Sequence, residues 1–198
     1  MRKQIAIALA QHIGKPLTPE VAVAIARELC DSQDKTPDTK QFPPQNYGEY
    51  LIQAELVRDS LPELHLLHER HYLETELHRA SIPLNPDYDA VLDREHQGGL
   101  LQFTARVEAT GELVGNMRVY LSQSIHTQTL VCTEDTFYLV PEHRGGFLAV
   151  RLWQYVERWC IAIGVREIYF DSKTINSADS MARYLGYKPV AIKFAKVF

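Results

Sequence analysis

The chain has 198 residues, 45% of them hydrophobic and 23% charged, with a net charge of −4; at roughly 100–200 residues per domain it is one domain with room for an appended segment. No stretch approaches the ~20 apolar residues of a membrane helix, since Ile5 to Ile13 is too short, and Gly14-Lys15-Pro16 makes a poor secretory cleavage site. Net acidity disfavours a general nucleic-acid binder, and three scattered cysteines (Cys30, Cys132, Cys160) form neither a disulfide framework nor a zinc cluster, so a cytoplasmic protein with reduced thiols and no membrane partner is expected.

The first thirty residues read as two helices. Ile5, Ala6, Leu9 and Ile13 form one short apolar face that ends at Gly14. Thr18-Pro19-Glu20 then starts a second helix, with Val21, Ile25 and Leu29 at four-residue spacing. The pair carries little net charge, which suits a packing or homodimerisation element better than a phosphate-binding face. Asp31 to Pro44 is polar and aperiodic and reads as a linker. The expected division is therefore 1–45 as an N-terminal helical extension with its linker, and 46–198 as the main domain.

From about Tyr50 to Arg79 the pattern is helical, with Ser60-Leu61-Pro62-Glu63 marking an end and a restart. The second of these helices puts Leu66, Leu73 and Leu77 on its core stripe, with Leu64 and Leu67 beside it. His65, His68, His71, His78, Glu69, Glu74 and Glu76 occupy the other faces. His68-Glu69-Arg70-His71 is one residue short of the H-E-x-x-H zinc pattern, so a solvated face or the wall of an acceptor site is expected and no metal. Strands follow at Leu100–Val107 and Leu113–Leu121, joined as a hairpin, and at Leu130–Val140, stopped by Pro141. A helix from Phe147 to Ile163 carries Leu148, Leu152, Val156, Trp159 and Ile163 on one stripe. Arg166–Phe170 is a short strand, Asn176 or Ser177 caps a last helix that ends at Gly186, and Pro189–Phe198 reads as a final strand. The fold class is α/β (α+β): a mixed, mostly antiparallel central sheet flanked by helices.

The informative stretch is Pro141-Glu142-His143-Arg144-Gly145-Gly146-Phe147-Leu148-Ala149. A strand ends at a proline, an Arg-Gly-Gly turn follows, and an amphipathic helix begins at once. Glycines admit a ligand to the backbone, the first helical N–H groups are unpaired, and the helix dipole adds roughly half a positive charge. A diphosphate fits such a turn.

With Asn176 and Leu185-Gly186-Tyr187 at matching separations, the stretch from about Leu100 to the C-terminus resembles the GNAT acetyltransferase superfamily, particularly its phage-encoded members. The resemblance implies a GNAT-like fold and an acetyl-CoA-dependent N-acetyltransferase, with direct attack by a primary amine of a small molecule, a protein lysine or an N-terminus. Leu139 and Val140 would offer backbone groups to the pantetheine arm, and one of their N–H groups would hold the oxyanion. Arg144, Gly145, Gly146, Phe147, Leu148 and Ala149 would cradle the diphosphate, with Arg144 or Arg151 adding charge, and Asn176 would lie near the pantetheine.

Two departures from the family pattern stand out. Phe147 replaces a glycine, and Ala182 occupies the position of a tyrosine that protonates the leaving thiolate, leaving Tyr184 as the candidate acid. Glu134 is the preferred base over Asp135, because adjacent strand residues face opposite ways; His126 and His143 are weaker candidates. The alternative is a catalytically impaired member that binds a partner protein. Charge supports the enzymatic reading: residues 41–143 carry net −10, suiting a protonated amine, and residues 144–198 carry +5, suiting a nucleotide.

Overall fold

The computed structural model describes residues 9–31, 35–175 and 178–197. Ile5, Ala6, Asn176, Ser177 and Phe198 lie outside the described residues, so the expectations placed on them are untouched. Six strands form one sheet in the order β1-β2-β3-β4-β5-β6: β1 (Gln45–Tyr47), β2 (Tyr50–Glu55), β3 (Leu100–Val107), β4 (Leu113–Gln123), β5 (Leu130–Leu139) and β6 (Val165–Tyr169). All pairs are antiparallel except β5–β6, which is parallel. Among the described residues, α-helices run over α1 (Pro19–Asp31), α2 (Val57–Thr75), α3 (Tyr88–His96), α4 (Leu148–Ala162) and α5 (Ala178–Tyr184).

The sheet has two unlike faces, and its register shows why. Phe103, Met117 and Phe137 are cross-strand neighbours, and they pack against α4. Phe103 meets Tyr155 and Trp159 edge-on, and Phe137 meets Trp153. This is the dry core, where Phe103, Met117, Leu152 and Tyr155 are fully buried. One residue along each strand the row becomes Thr104, Asn116, Tyr138, and the next row is Gln102, Arg118, Thr136. That polar face lies under α2, whose His71 ring meets Tyr138 at a tilt of 39° with centroids 5.3 Å apart.

Several expectations are corrected here. Residues 50–55 form a strand, not a helix: Gly48, at φ +57°, turns the chain so that Tyr47 pairs with Tyr50, and β2 then lies along β3. The helix that follows runs unbroken through Pro62. Its start is capped from another helix, because the buried Glu95 of α3 accepts the Val57 N–H at 2.7 Å. Burial raises the Glu95 carboxyl above its ordinary range, against the pull of that amide. The stripe Leu66, Leu73, Leu77 is 57–77% exposed, while Ser60, Leu64, Leu67, His68 and Thr75 face inward. Helix α3 itself, capped by Asp87 accepting from Ala90 N–H, falls in a stretch with no expected element. The segment 35–44 packs on the domain: Lys35 N–H donates to His96 O, Tyr155 Oη donates to Phe42 O, and a Cβ on Gly98 would meet Lys35 O at 2.8 Å. No strand forms over 189–197, and Val190, Ile192 and Phe194 are exposed.

At the N-terminus, Thr18 Oγ1 accepts the Val21 N–H as the capping pattern requires, and the apolar Ile13, Leu17 and Val23 stand exposed.

Candidate active site

β5 and β6 pair from Leu130/Val165 to Thr133/Tyr169 and then part. β5 continues to Leu139 with its outer edge unpaired by β6, roughly 16 Å of strand beyond Glu134. Val140 N–H donates to Val114 O, so alternation aims the backbone groups of Phe137 and Leu139 outward into the gap. This corrects the expectation for Val140. Its N–H is spent on the sheet and its carbonyl on His143 N–H, leaving Leu139 as the N–H that faces the opening.

Glu134 stands at the fork. It is the first β5 residue beyond the paired segment, and its Oε2 accepts the Asp171 N–H at 3.4 Å. Burial pushes its carboxyl up to about 8, helped by the charges of Asp171 and Asp135, with the Asp171 N–H and Lys173 opposing. Asp135 is the extra residue of a β-bulge, because Arg118 pairs with Thr136 and Val119 with Glu134. Its carboxylate is committed to Arg118 Nε at 2.7 Å and to Thr136 Oγ1 at 3.1 Å.

At the other end of β5, Pro141–His143 makes a 3-10 turn and Gly146, at φ +73°, swings the chain into α4 with Phe147 as N-cap. A side chain at Gly146 would be strained by that φ. Arg144 N–H donates back to Pro141 O, and the next bond runs from Arg151 N–H to Phe147 O. The six amides from Gly145 to Val150 have no protein acceptor among the described residues. The Phe147 ring does not plug the turn; it is half exposed and lies against Tyr184, with centroids 6.2 Å apart.

The guanidinium of Arg144 is not free for a ligand, contrary to expectation. It is clamped bidentately by Glu74 of α2 at 2.5 and 2.7 Å, and its Nε donates to Leu139 O at 2.8 Å. Tyr138 Oη donates to the same Glu74, and Arg144 lies over the Tyr138 ring. Hydrogen bonding to Arg144 holds the Glu74 carboxyl below its usual range. No local signal in the sequence linked these residues, which are 70 positions apart. Arg151, one turn into α4 and exposed, lies over the Tyr47 ring. Tyr184 is 67% exposed beside Phe147, and no described contact joins it to Glu134. His143 is bonded to Tyr50 Oη at 2.9 Å, and His126 sits in an exposed loop.

The histidines of α2 do not form a solvated face throughout. His68 is buried, and desolvation, with the nearby charges of Arg118, His71 and His65, lowers it to about 3. It and His65 both bond Tyr88 Oη, at 3.0 and 3.1 Å. Among the described residues no group of three or more His, Cys, Asp or Glu could hold a metal, and no helix is long and apolar enough to cross a membrane.

Residues 61–187 match the sequence profile of the acetyltransferase (GNAT) family. The chain belongs to that family, and the fork, the turn at Gly146 and the mixed sheet are part of its GNAT-fold acetyltransferase domain. A search of curated proteins by sequence finds no match. Solved structures share the fold at low identity. An aminoglycoside acetyltransferase from an uncultured soil metagenomic sample, in complex with sisomicin, aligns at TM-score 0.61 and 13% identity over 76% of this chain and 97% of its own. A Trypanosoma brucei acetyltransferase aligns at 0.58 and 15%, over 75% and 99%. Ribosomal-protein-alanine N-acetyltransferase from Brucella melitensis biovar Abortus 2308 gives 0.57 and 16%, over 74% and 99%.

Proposed function

We propose that the protein transfers an acetyl group from acetyl-CoA to a primary amine by direct attack. The observation that carries this reading is the run of six unpaired amides from Gly145 to Val150, set at the end of a strand whose outer edge is open. Such a turn fits a diphosphate, because fixed N–H dipoles at a helix start favour negative charge without reorganising. The bound thioester supplies the activated acyl group. Leu139 N–H donates to the carbonyl oxygen as negative charge builds on it. Glu134, as its carboxylate, takes the proton that the attacking amine must lose.

Tyr184 is not needed as an acid in this scheme. An alkyl thiol has a pKa near 8.5, so the sulfur leaves as thiolate and is protonated in solvent. The net −10 of residues 41–143 favours an acceptor that arrives as a cation. The acceptor class spans small amines and protein amines, and the structural neighbours above are named for both kinds.

We also propose residues 46–198 as the catalytic unit. Residues 1–45 are then an extension whose last part, 35–44, packs onto that unit, and whose exposed Ile13, Leu17 and Val23 support a self-association role. The test of the reaction is free thiol release from acetyl-CoA with a panel of primary amines. Turnover with at least one amine is expected; acetyl-CoA binding without turnover on any amine would return the reading to a partner-binding member of the family.

A further inference from the structure

Phe147 and Tyr184 stand beside the anion turn with 52% and 67% of their surfaces open to solvent. Their ring centroids are 6.2 Å apart and their planes are tilted by 45°, so the two rings make one continuous aromatic surface and not a closed slot. Phe147 is the N-cap of α4, and its own amide is among the six unpaired ones. The ring therefore begins at the very residue whose backbone faces the phosphates. Tyr184 is the last residue of α5, so a second element extends the surface. The Tyr184 hydroxyl bonds no described group. Two large rings left in water next to an anion site are placed to meet something flat and apolar that arrives attached to an anion.

We infer that Phe147 and Tyr184 form a stacking platform for the purine base of the nucleotide whose diphosphate the turn binds. The inference rests on the acetyl-CoA reading of that turn. A base presents a π-face that stacks on any exposed aromatic ring without directional hydrogen bonds. The Phe147 side chain then adds a binding surface to the turn at no loss of the backbone N–H. Tyr184 serves the same end of the ligand and not its thioester.

The test compares acetyl-CoA with acetyl-4′-phosphopantetheine, which carries the thioester arm and one phosphate but no base. Exposed stacking of a base predicts that F147A weakens acetyl-CoA binding about tenfold, with Y184A in the same direction and acetyl-4′-phosphopantetheine unaffected. F147L, which keeps bulk but loses the π-face, is expected to behave like F147A, and F147W to retain the affinity. With 1,N6-ethenoadenine CoA, the base fluorescence quenched on the wild-type protein is expected to recover on F147A. Equal acetyl-CoA affinity in wild type, F147A and Y184A overturns the platform while leaving the cofactor reading intact. Binding of neither ligand by the wild-type protein overturns both.

Discussion

At the scale of single residues, the proposed chemistry turns on Glu134. Its carboxyl is raised to about 8, chiefly by burial, so it holds its proton over most of the neutral range, and the proposed base role is expected only above that. The rate is expected to climb with pH through an apparent value near 8. E134Q is expected to lose roughly 10²–10⁴-fold in kcat and to flatten that limb, which a pH–rate profile reads directly. Stability follows from the same shift. The folded protein binds this proton more tightly than the unfolded chain, whose carboxyl titrates near 4.5, so stability falls as pH rises from about 4.5 to about 8 and then levels. Denaturant melts across that window are expected to show the decline in the parent and not in E134Q. Glu134 lies on β5, the strand its sequence pattern implies, but a bulge at Asp135 and not simple alternation sets the two carboxylates apart. The commitment of Arg144 was not legible in the sequence: its cationic charge suggests a phosphate ligand, and only folding brings Glu74 to it. That pair is partly exposed, so E74A is expected to cost about 1 kcal/mol of stability or less. Its larger effect is expected on donor affinity, as a raised KM for acetyl-CoA with little change in kcat, because the clamp also fixes the carbonyl of Leu139.

At the scale of elements, Gly115 shows how closely β4 supports the fork. A Cβ there would come within 2.1 Å of Leu139 Cδ2 and 3.1 Å of Tyr138 O. G115A is therefore expected to destabilise by about 1–3 kcal/mol through overpacking and to lower activity by displacing Leu139; a thermal melt and a turnover assay check the two parts separately. The strands from Leu100 to Leu139 and helix α4 were readable because each has one dry side and a clean period. Helix α2 was misread for the opposite reason. Its inward stripe of Ser60, Leu64, Leu67, His68 and Thr75 keeps helical spacing but mixes polar with apolar residues, since it faces the Thr104–Asn116–Tyr138 row. The more hydrophobic Leu66, Leu73 and Leu77 therefore mimicked a core face. In the C-terminal segment Val190, Ile192 and Phe194 do alternate, yet alternation makes a strand only where an edge accepts its hydrogen bonds. Lys193 pairs with the Asp171 carboxylate just past β6, and no ladder forms.

For the molecule as a whole, the charge division between the middle and the C-terminal part is partly consumed within the fold. Glu74 pairs with Arg144 and Glu76 with Lys173 across that division. What remains for ligands is the contrast between the acidic middle of the chain and a turn of free amides. Acetyl-CoA is expected to stabilise the whole protein by about 3 kcal/mol at a hundredfold excess over its dissociation constant, seen as a rise in Tm that grows with ligand concentration. The parting of β5 from β6 has a further consequence, at the level of hydrogen exchange. Along the last residues of β5 every second peptide group is held by β4 while its neighbour looks into open space, so in the unliganded protein the amide of Tyr138 is expected to keep its proton far longer than those of Phe137 and Leu139. Occupied by a donor, the strand would lose that alternation and exchange slowly along both of its sides.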